Sequence, residues 1–67
     1  MQFVDSSNID RIGYDSNTRT LRVEFKLNRT YDYFNVPESV FNELRSASSV
    51  GSYHAKNIKK SYSYTEI

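Results

Sequence analysis

The chain has 67 residues, a formal net charge of +1, one histidine and no cysteine. Without cysteine it can form neither a disulfide nor a thiolate metal site, so a single small domain must rely on its hydrophobic core. This net charge argues neither for nor against nucleic acid, and the mildly basic C-terminal third, residues 39–67, is weak beside the dense basic patch of a typical nucleic-acid-binding domain. Six of the residues are tyrosines, and each tyrosine that is buried needs a hydrogen-bond partner for its hydroxyl.

The first half of the chain predicts three strands. Residues 9–14 form a short strand, and the Asp, Ser, Asn and Thr at 15–18 form a turn. Residues 20–26 alternate apolar and polar side chains, with Leu21, Val23 and Phe25 on one face. A short turn near residues 27–29 leads to a third strand at residues 30–36. The short connections predict antiparallel pairing.

The second half predicts one or two helices. Pro37 suits the first helical position, and the apolar Val40, Phe41, Leu44 and Ala47 recur on one helical face. A second helix is expected from residue 50 to about residue 59, capped by a serine at 48 or 49. Residues 61–65 alternate tyrosine with small polar residues, which fits either a fourth, edge strand or a frayed end.

These patterns predict the α+β class for one domain spanning residues 1–67. The expected architecture is a three-stranded antiparallel sheet followed by one or two C-terminal helices packed on one face, with a short fourth edge strand as an option at the C-terminus.

The loop between the second and third strands decides which way Tyr31 and Tyr33 point. A two-residue loop places Phe34 and Val36 on the apolar face, and the two tyrosines then lie beside Arg22 and Lys26. A three-residue loop at 26–28 reverses the parity and sends both tyrosines into the core. Phe and Val are better core residues than two phenols, which favours the first register.

In that register, tyrosine rings interleaved with cations on an open sheet would suit base stacking. The alternative is that the rings form ordinary cross-strand pairs and only stiffen the sheet. Lys56, Lys59 and Lys60 would add phosphate contacts, although the low net charge favours a plain solvated helix end for these three lysines.

The residues indicate no enzyme chemistry. His54 has no nucleophile or carboxylate placed beside it by any sequence signature, so we expect it on a solvated helix face and predict no catalytic residues. No metal-ligand spacing appears, and Gly13 and Gly51 are isolated rather than part of a phosphate loop. We predict no metal and no cofactor. No targeting segment or long apolar run is visible, so a cytoplasmic protein without membrane contact is expected.

Several short segments follow one another at distinctive spacings: Ser7-Asn8-Ile9, Ile12-Gly13-Tyr14-Asp15, Thr20–Phe25, Tyr31-Asp32-Tyr33, Val36-Pro37, Ser49-Val50-Gly51-Ser52-Tyr53 and Ile58. In their order the chain resembles the KTSC family, named for a domain at the C-terminus of some lysyl-tRNA synthetases and found also as a stand-alone protein in bacteria and phages. Tyr31 and Tyr33 match the family's Tyr-x-Tyr mark, and Asn28 stands where many members have glycine. The resemblance spans roughly residues 4–62. It implies the fold and an RNA-binding role suggested by the synthetase fusion, with no catalytic residues to transfer.

Two functions follow as expectations. The first is a non-enzymatic module that binds RNA or tRNA, with the candidate residues Tyr31, Tyr33, Arg22, Lys26, Lys56, Lys59 and Lys60. The second is a protein-interaction module that uses strand addition or self-association, through an exposed edge strand or the tail at residues 62–64. Neither reading requires a small-molecule substrate.

Overall fold

Among the residues that the structure describes, five antiparallel strands form one sheet, and two helices cover one of its faces. The computed structural model describes residues 2–4 and 6–67, apart from the side chain of Gln2. The strands are Gln2–Phe3 (β1), Ile9–Asp15 (β2), Thr20–Phe25 (β3), Arg29–Tyr33 (β4) and Tyr64–Glu66 (β5), and they lie side by side in chain order. The helices are Glu38–Ser46 (α1) and Val50–Asn57 (α2). The predicted α+β class and antiparallel sheet are confirmed, with short edge strands added on both sides.

The β2–β3 hairpin follows its predicted turn chemistry. Asp15 pairs with Thr20, and its side-chain Oδ1 accepts a hydrogen bond from the backbone N–H of Asn17 at 2.9 Å. Arg19 closes the turn with φ at +56°, and its carbonyl accepts from the backbone N–H of Val36 at 2.9 Å. This bond ties the turn to the segment that follows β4.

The β3–β4 loop overturns the favoured register. It contains three residues, Lys26, Leu27 and Asn28, and pairs Val23 with Tyr31 and Leu21 with Tyr33. Both tyrosines therefore lie on the face of the sheet that the helices cover, and the exposed-tyrosine register is wrong. Asn28 adopts φ of +62°, a left-handed conformation that asparagine tolerates, so its side chain permits the longer loop.

The left-handed residue Asn35 explains why the preference for Phe34 and Val36 as core residues predicted the wrong register. We expected one strand across residues 30–36, but β4 ends at Tyr33 and Asn35 turns the chain with φ of +58°. Beyond that turn Val36 is buried although it breaks the parity of β4, and Phe34 is left 38% exposed. Tyr33 and Val36 can therefore both enter the core, which a continuous strand would not allow.

The core lies between the sheet and the two helices. Strand residues meet α1 through Leu44 and α2 through Val50, and Ile58 follows directly after α2. The buried apolar residues are Ile9, Ile12, Leu21, Val23, Tyr33, Val36, Leu44, Val50 and Ile58. With so few core side chains, each contributes a large share of the stability.

Both helix starts agree with the sequence to within one residue. Pro37 stands immediately before α1 rather than inside it, and Ser49 caps α2 by accepting a hydrogen bond from the backbone N–H of Ser52 at 3.3 Å.

Gly51 lowers the intrinsic stability of α2 as an isolated helix, but the packing of α2 favours a glycine at this position. A Cβ at this position would lie 2.9 Å from Oδ1 of Asn8, so glycine lets α2 approach the loop before β2.

The C-terminal tail forms a strand rather than a frayed end. β5 pairs with β4 through Tyr31–Glu66, Asp32–Thr65 and Tyr33–Tyr64, so the edge strand is the one of the two open alternatives that the structure contains. In the described part of the chain, neither helix is long and apolar enough to cross a membrane.

Replacing Leu44 with alanine should lower the free energy of unfolding by about 2–5 kcal/mol, because a fully buried side chain would leave a cavity in a small core. At roughly 0.05–0.15 kcal/mol per residue, a domain of this length has about 3–10 kcal/mol of stability, so such a loss removes a large share of it. Urea titration followed by circular dichroism measures the effect. Asn42→Ala, an exposed change in the same helix, is the control and should shift the midpoint little. Equal midpoints for the two variants would contradict this account of the core.

Candidate functional site: an aromatic groove with a cationic rim

The register of β3, β4 and β5 places several aromatic rings at one end of the sheet face that the helices cover. Tyr31 and Tyr33 are two residues apart on β4 and share a face, and Tyr64 is the register partner of Tyr33 on β5. Phe25 ends β3, and His54 reaches in from α2. These five residues line a groove of about 640 Å³, which we call the aromatic groove. Its size is within the range of small-ligand sites, about 300–1,000 Å³.

The ring geometry produces one continuous wall. The rings of Tyr31 and Tyr33 are roughly parallel with centroids 6.4 Å apart, and the Tyr64 centroid lies 5.5 Å from each. The Phe25 ring meets Tyr31 edge-on at 5.5 Å. Tyr64 is 55% exposed and Tyr31 is half-buried, so both present ring surface to the groove. Tyr33 is only 3% exposed and forms the floor beneath them.

A buried hydrogen bond holds the floor of the groove in place. Nε2 of His54 lies 2.8 Å from the hydroxyl of Tyr33, and the imidazole sits edge-on to the rings of Phe25 and Tyr33 at 5.3 Å. Burial, with a smaller contribution from the charge on Lys59, lowers the pKa of His54 from 6.5 to about 4. Burial also raises the pKa of the Tyr33 hydroxyl to about 12. The pair is therefore neutral between these limits, and His54 gives the groove no positive charge near pH 7.

Positive charge at the groove comes from its rim. Lys26, Arg29 and Lys59 line it, and no acidic residue is among the described residues that do so. Arg29 pairs with Glu66 at 3.0 Å and donates a hydrogen bond to the Tyr31 hydroxyl at 3.3 Å. Neither lysine forms an ion pair within the part of the chain that the structure describes.

The structure unites four of the predicted site residues and separates the other three. Tyr31, Tyr33, Lys26 and Lys59 line the aromatic groove. Arg22 lies on the opposite face of the sheet, because it follows the parity of Asp32, to which it is ion-paired at 2.8 Å. The predicted neighbourhood of Arg22 with the two tyrosines is therefore wrong. Lys56 and Lys60 are exposed but are not among the residues that line the groove.

Sequence reasoning missed His54, Arg29, Leu27, Phe25 and Tyr64 as groove residues. We expected His54 on a solvated helix face, but it is 5% exposed, so that expectation is wrong. A signal for its burial was present. His54 stands four residues from both Val50 and Ile58, which are buried on the same side of α2. Tyr64 could be placed only once the register of β5 was known.

Within the described residues, no group of three or more His, Cys, Asp or Glu side chains is arranged to hold a metal ion. Another depression lies on the open face and has a volume of about 500 Å³. It is lined in part by the ion pair of Arg22 and Asp32, in which each charge already has a partner.

Comparison with known proteins gives a consistent picture. A family model described as the KTSC domain matches residues 5–62. The chain is similar to a solved KTSC domain protein from Yersinia pestis, with a TM-score of 0.93 and 37% identity, over 98% of this chain and 93% of that one.

The curated relatives include much longer chains. Over 94% of its length the chain is 40% identical to a lysine–tRNA ligase of Trichormus variabilis and 35% identical to one of Nostoc punctiforme. It spans only 11% of each ligase. A protein from Tsukamurella paurometabola is 43% identical, with 76% of both chains covered.

The neutral buried imidazole predicts how stability depends on pH. The unfolded chain takes up a proton on His54 near pH 6.5, whereas the folded chain does so only near pH 4. The contribution of His54 to the free energy of unfolding is therefore fully present above pH 6.5. It falls by about 3 kcal/mol as the pH drops to about 4. Urea unfolding at several pH values should show a smaller loss for His54→Gln, which keeps a hydrogen-bonding side chain but does not titrate.

Nuclear magnetic resonance gives a direct check, because the imidazole carbon shift of His54 reports its protonation. A ring midpoint near 6.5, or parallel stability curves for the wild type and His54→Gln, would contradict the burial account. Carboxylates also titrate in this range, but both proteins share them, so the difference between the two curves isolates His54.

Proposed function

Because the chain belongs to the KTSC domain family, we propose that it is a non-enzymatic module whose aromatic groove binds single-stranded RNA, with tRNA as the leading candidate. An unpaired base stacks on the exposed surface of Tyr31 and Tyr64. Lys26 and Lys59 at the rim contact the flanking phosphates.

One observation carries this proposal: an exposed aromatic wall stands beside two rim lysines, Lys26 and Lys59, that form no ion pair among the described residues. A base offers a flat π surface and its backbone offers a negative charge, so a nucleotide complements both features of the groove. Stacking on an aromatic side chain contributes about 1–3 kcal/mol for each base and tolerates different sequences. Single-stranded RNA suits such a surface because its bases are free to leave the helical stack.

The relatives support RNA over other anionic polymers. Two of them are named lysine–tRNA ligases, and the matched segment makes up 11% of each. A segment of this size added to a larger RNA-handling enzyme fits an accessory contact to the RNA, while most of the ligase lies outside the match. His54 does not take part in this contact, because it is only 5% exposed and lies beneath the rings.

Strand addition by a protein partner is the second candidate. It is favoured by β5, a three-residue strand at the edge of the sheet whose residues are all exposed. An edge strand can pair with an added strand through its free backbone groups. Such pairing depends little on salt, whereas phosphate contacts weaken steeply as salt rises, so the two functions are separable by experiment.

The first test titrates isotope-labelled protein with a tRNA pool and with a short mixed-sequence single-stranded RNA, followed by nuclear magnetic resonance. Shifts should concentrate at Tyr31, Tyr64, Lys26 and Lys59 and leave Arg22 unaffected. If both rim lysines contact phosphates, the logarithmic salt slope is about −1.4, and raising salt from 50 to 200 mM weakens binding about sevenfold. Shifts confined to the outer edge of β5, without salt dependence, would instead identify a strand-addition surface.

Adjacent lysines give a matched test of the rim. Lys59→Gln should weaken RNA binding by about two- to fivefold at low salt, as expected for losing one phosphate contact, and should make the salt slope shallower by about 0.7. Lys60→Gln removes the same charge from the next residue, which does not line the groove, and should leave both quantities nearly unchanged. Fluorescence anisotropy with a labelled RNA measures both. Equal losses for the two variants would indicate a diffuse charge effect and contradict the rim contact.

The aromatic wall has its own paired test on β5. Tyr64→Ala removes a half-exposed ring and should weaken binding by roughly 5- to 150-fold, the equivalent of about 1–3 kcal/mol of stacking. Thr65→Ala changes the neighbouring exposed residue, whose side chain points to the other face of the sheet. It should bind RNA like the wild type. If Tyr64→Ala folds normally and binds RNA undiminished, stacking at this wall is wrong.

A further inference from the structure

The tip of the β3–β4 loop carries a leucine that packing within the chain does not explain. Leu27 is 92% exposed, and its backbone φ is +70°. A left-handed backbone is unfavourable for a residue with a bulky side chain, and glycine or asparagine would adopt it more readily. A large apolar side chain in water also forgoes the stabilisation that burial would give. At this position the backbone and the side chain are both in unfavourable states.

The other left-handed residues do not share this double disadvantage. Asn28 and Asn35 are asparagines, which tolerate the conformation. Arg19 has a polar side chain suited to solvent, and its carbonyl accepts the hydrogen bond from Val36. Backbone conformations that are unfavourable in the isolated fold are enriched at ligand-binding sites, so the location of Leu27 is informative.

Leu27 lies at the mouth of the aromatic groove, in the loop between the rim residues Lys26 and Arg29. Building on the RNA-binding function proposed above, we propose that Leu27 is a ligand-contacting residue that packs on a base already stacked against the aromatic wall. The base is then held between Tyr31 and Tyr64 on one side and Leu27 on the other. The left-handed loop holds the leucine at the mouth before the RNA arrives.

This arrangement defines the ligand more narrowly than stacking on an open surface. Contact with the aromatic wall on one face and with Leu27 on the other leaves neither face of the base free for a stacked neighbour, so the base must have left its stack. The rim lysines are placed to contact the phosphates on either side of that base. The predicted ligand is therefore one extruded nucleotide within a single-stranded RNA, and duplex RNA should bind poorly because its bases remain paired and stacked.

The decisive variant is Leu27→Gly, because it should weaken binding without lowering stability. Glycine relieves the left-handed backbone, so the urea midpoint should stay equal or rise. Loss of the apolar contact should weaken the binding of a short labelled single-stranded RNA by about five- to tenfold in fluorescence anisotropy. Leu27→Met restores an apolar side chain of similar volume and should recover most of the affinity.

Asn28→Gly is the matched control. It places a glycine in the same loop at the adjacent left-handed residue, but Asn28 is not among the residues that line the groove. It therefore adds loop flexibility without removing the leucine, and its RNA affinity should lie within about twofold of the wild type, since no groove contact is lost.

The outcomes separate this inference from the proposed function. If Leu27→Gly binds as tightly as Asn28→Gly while Tyr64→Ala still weakens binding, Leu27 is not a ligand contact and the RNA-binding groove stands. If Leu27→Gly lowers the urea midpoint, the leucine has a structural role and the inference is overturned. If the wild type binds neither the RNA nor tRNA at low salt, the proposed function fails and the inference fails with it.

Discussion

The length of the β3–β4 loop is the constraint on which the rest of the structure depends. Three residues rather than two, made permissible by left-handed Leu27 and Asn28, place Tyr31 and Tyr33 beneath the helices. Because side chains alternate along a strand, one residue more or less would exchange the two faces of β4 completely. The core, the aromatic wall and the partner of Arg22 all follow from this choice. A small feature of backbone geometry thus decides which surface can bind a ligand.

Burying a phenol is favourable here because α2 supplies a partner for it. Tyr33 could not be 3% exposed at low cost unless His54 accepted or donated a hydrogen bond at its hydroxyl. The same burial keeps the imidazole neutral, which makes the pair a structural support without charge. Stability and the candidate site are therefore coupled. A change at His54 would therefore disturb the floor of the groove. The rings that would contact a nucleobase are those of Tyr31 and Tyr64.

The sequence predicts the elements well and the faces poorly, for identifiable reasons. The alternation of β3, the helix pattern around Leu44 and the serine cap of α2 are local signals, and each of them is confirmed. Strand register depends on loop conformation, and Asn28 suits either loop, so propensity could not choose between the faces. Asn35 ended β4 earlier than expected. The site was correspondingly half predicted: the tyrosines and two lysines were named, but Tyr64 and His54 become neighbours of those tyrosines only through tertiary pairing.

The net charge of the chain does not describe the aromatic groove, because the fold distributes its charges unevenly. On the open face, Arg11 pairs with Glu24 and Arg22 pairs with Asp32, so these acidic groups neutralise arginines far from the groove. The groove rim keeps Lys26 and Lys59, and no carboxylate lies among its described lining residues. A net charge near zero for the whole chain is therefore compatible with a locally positive site, because screening at physiological salt limits the reach of each charge to about 8 Å. With so few cations, affinity at such a site must come largely from aromatic contact, which ties any RNA binding to the rings that the β3–β4 loop positions.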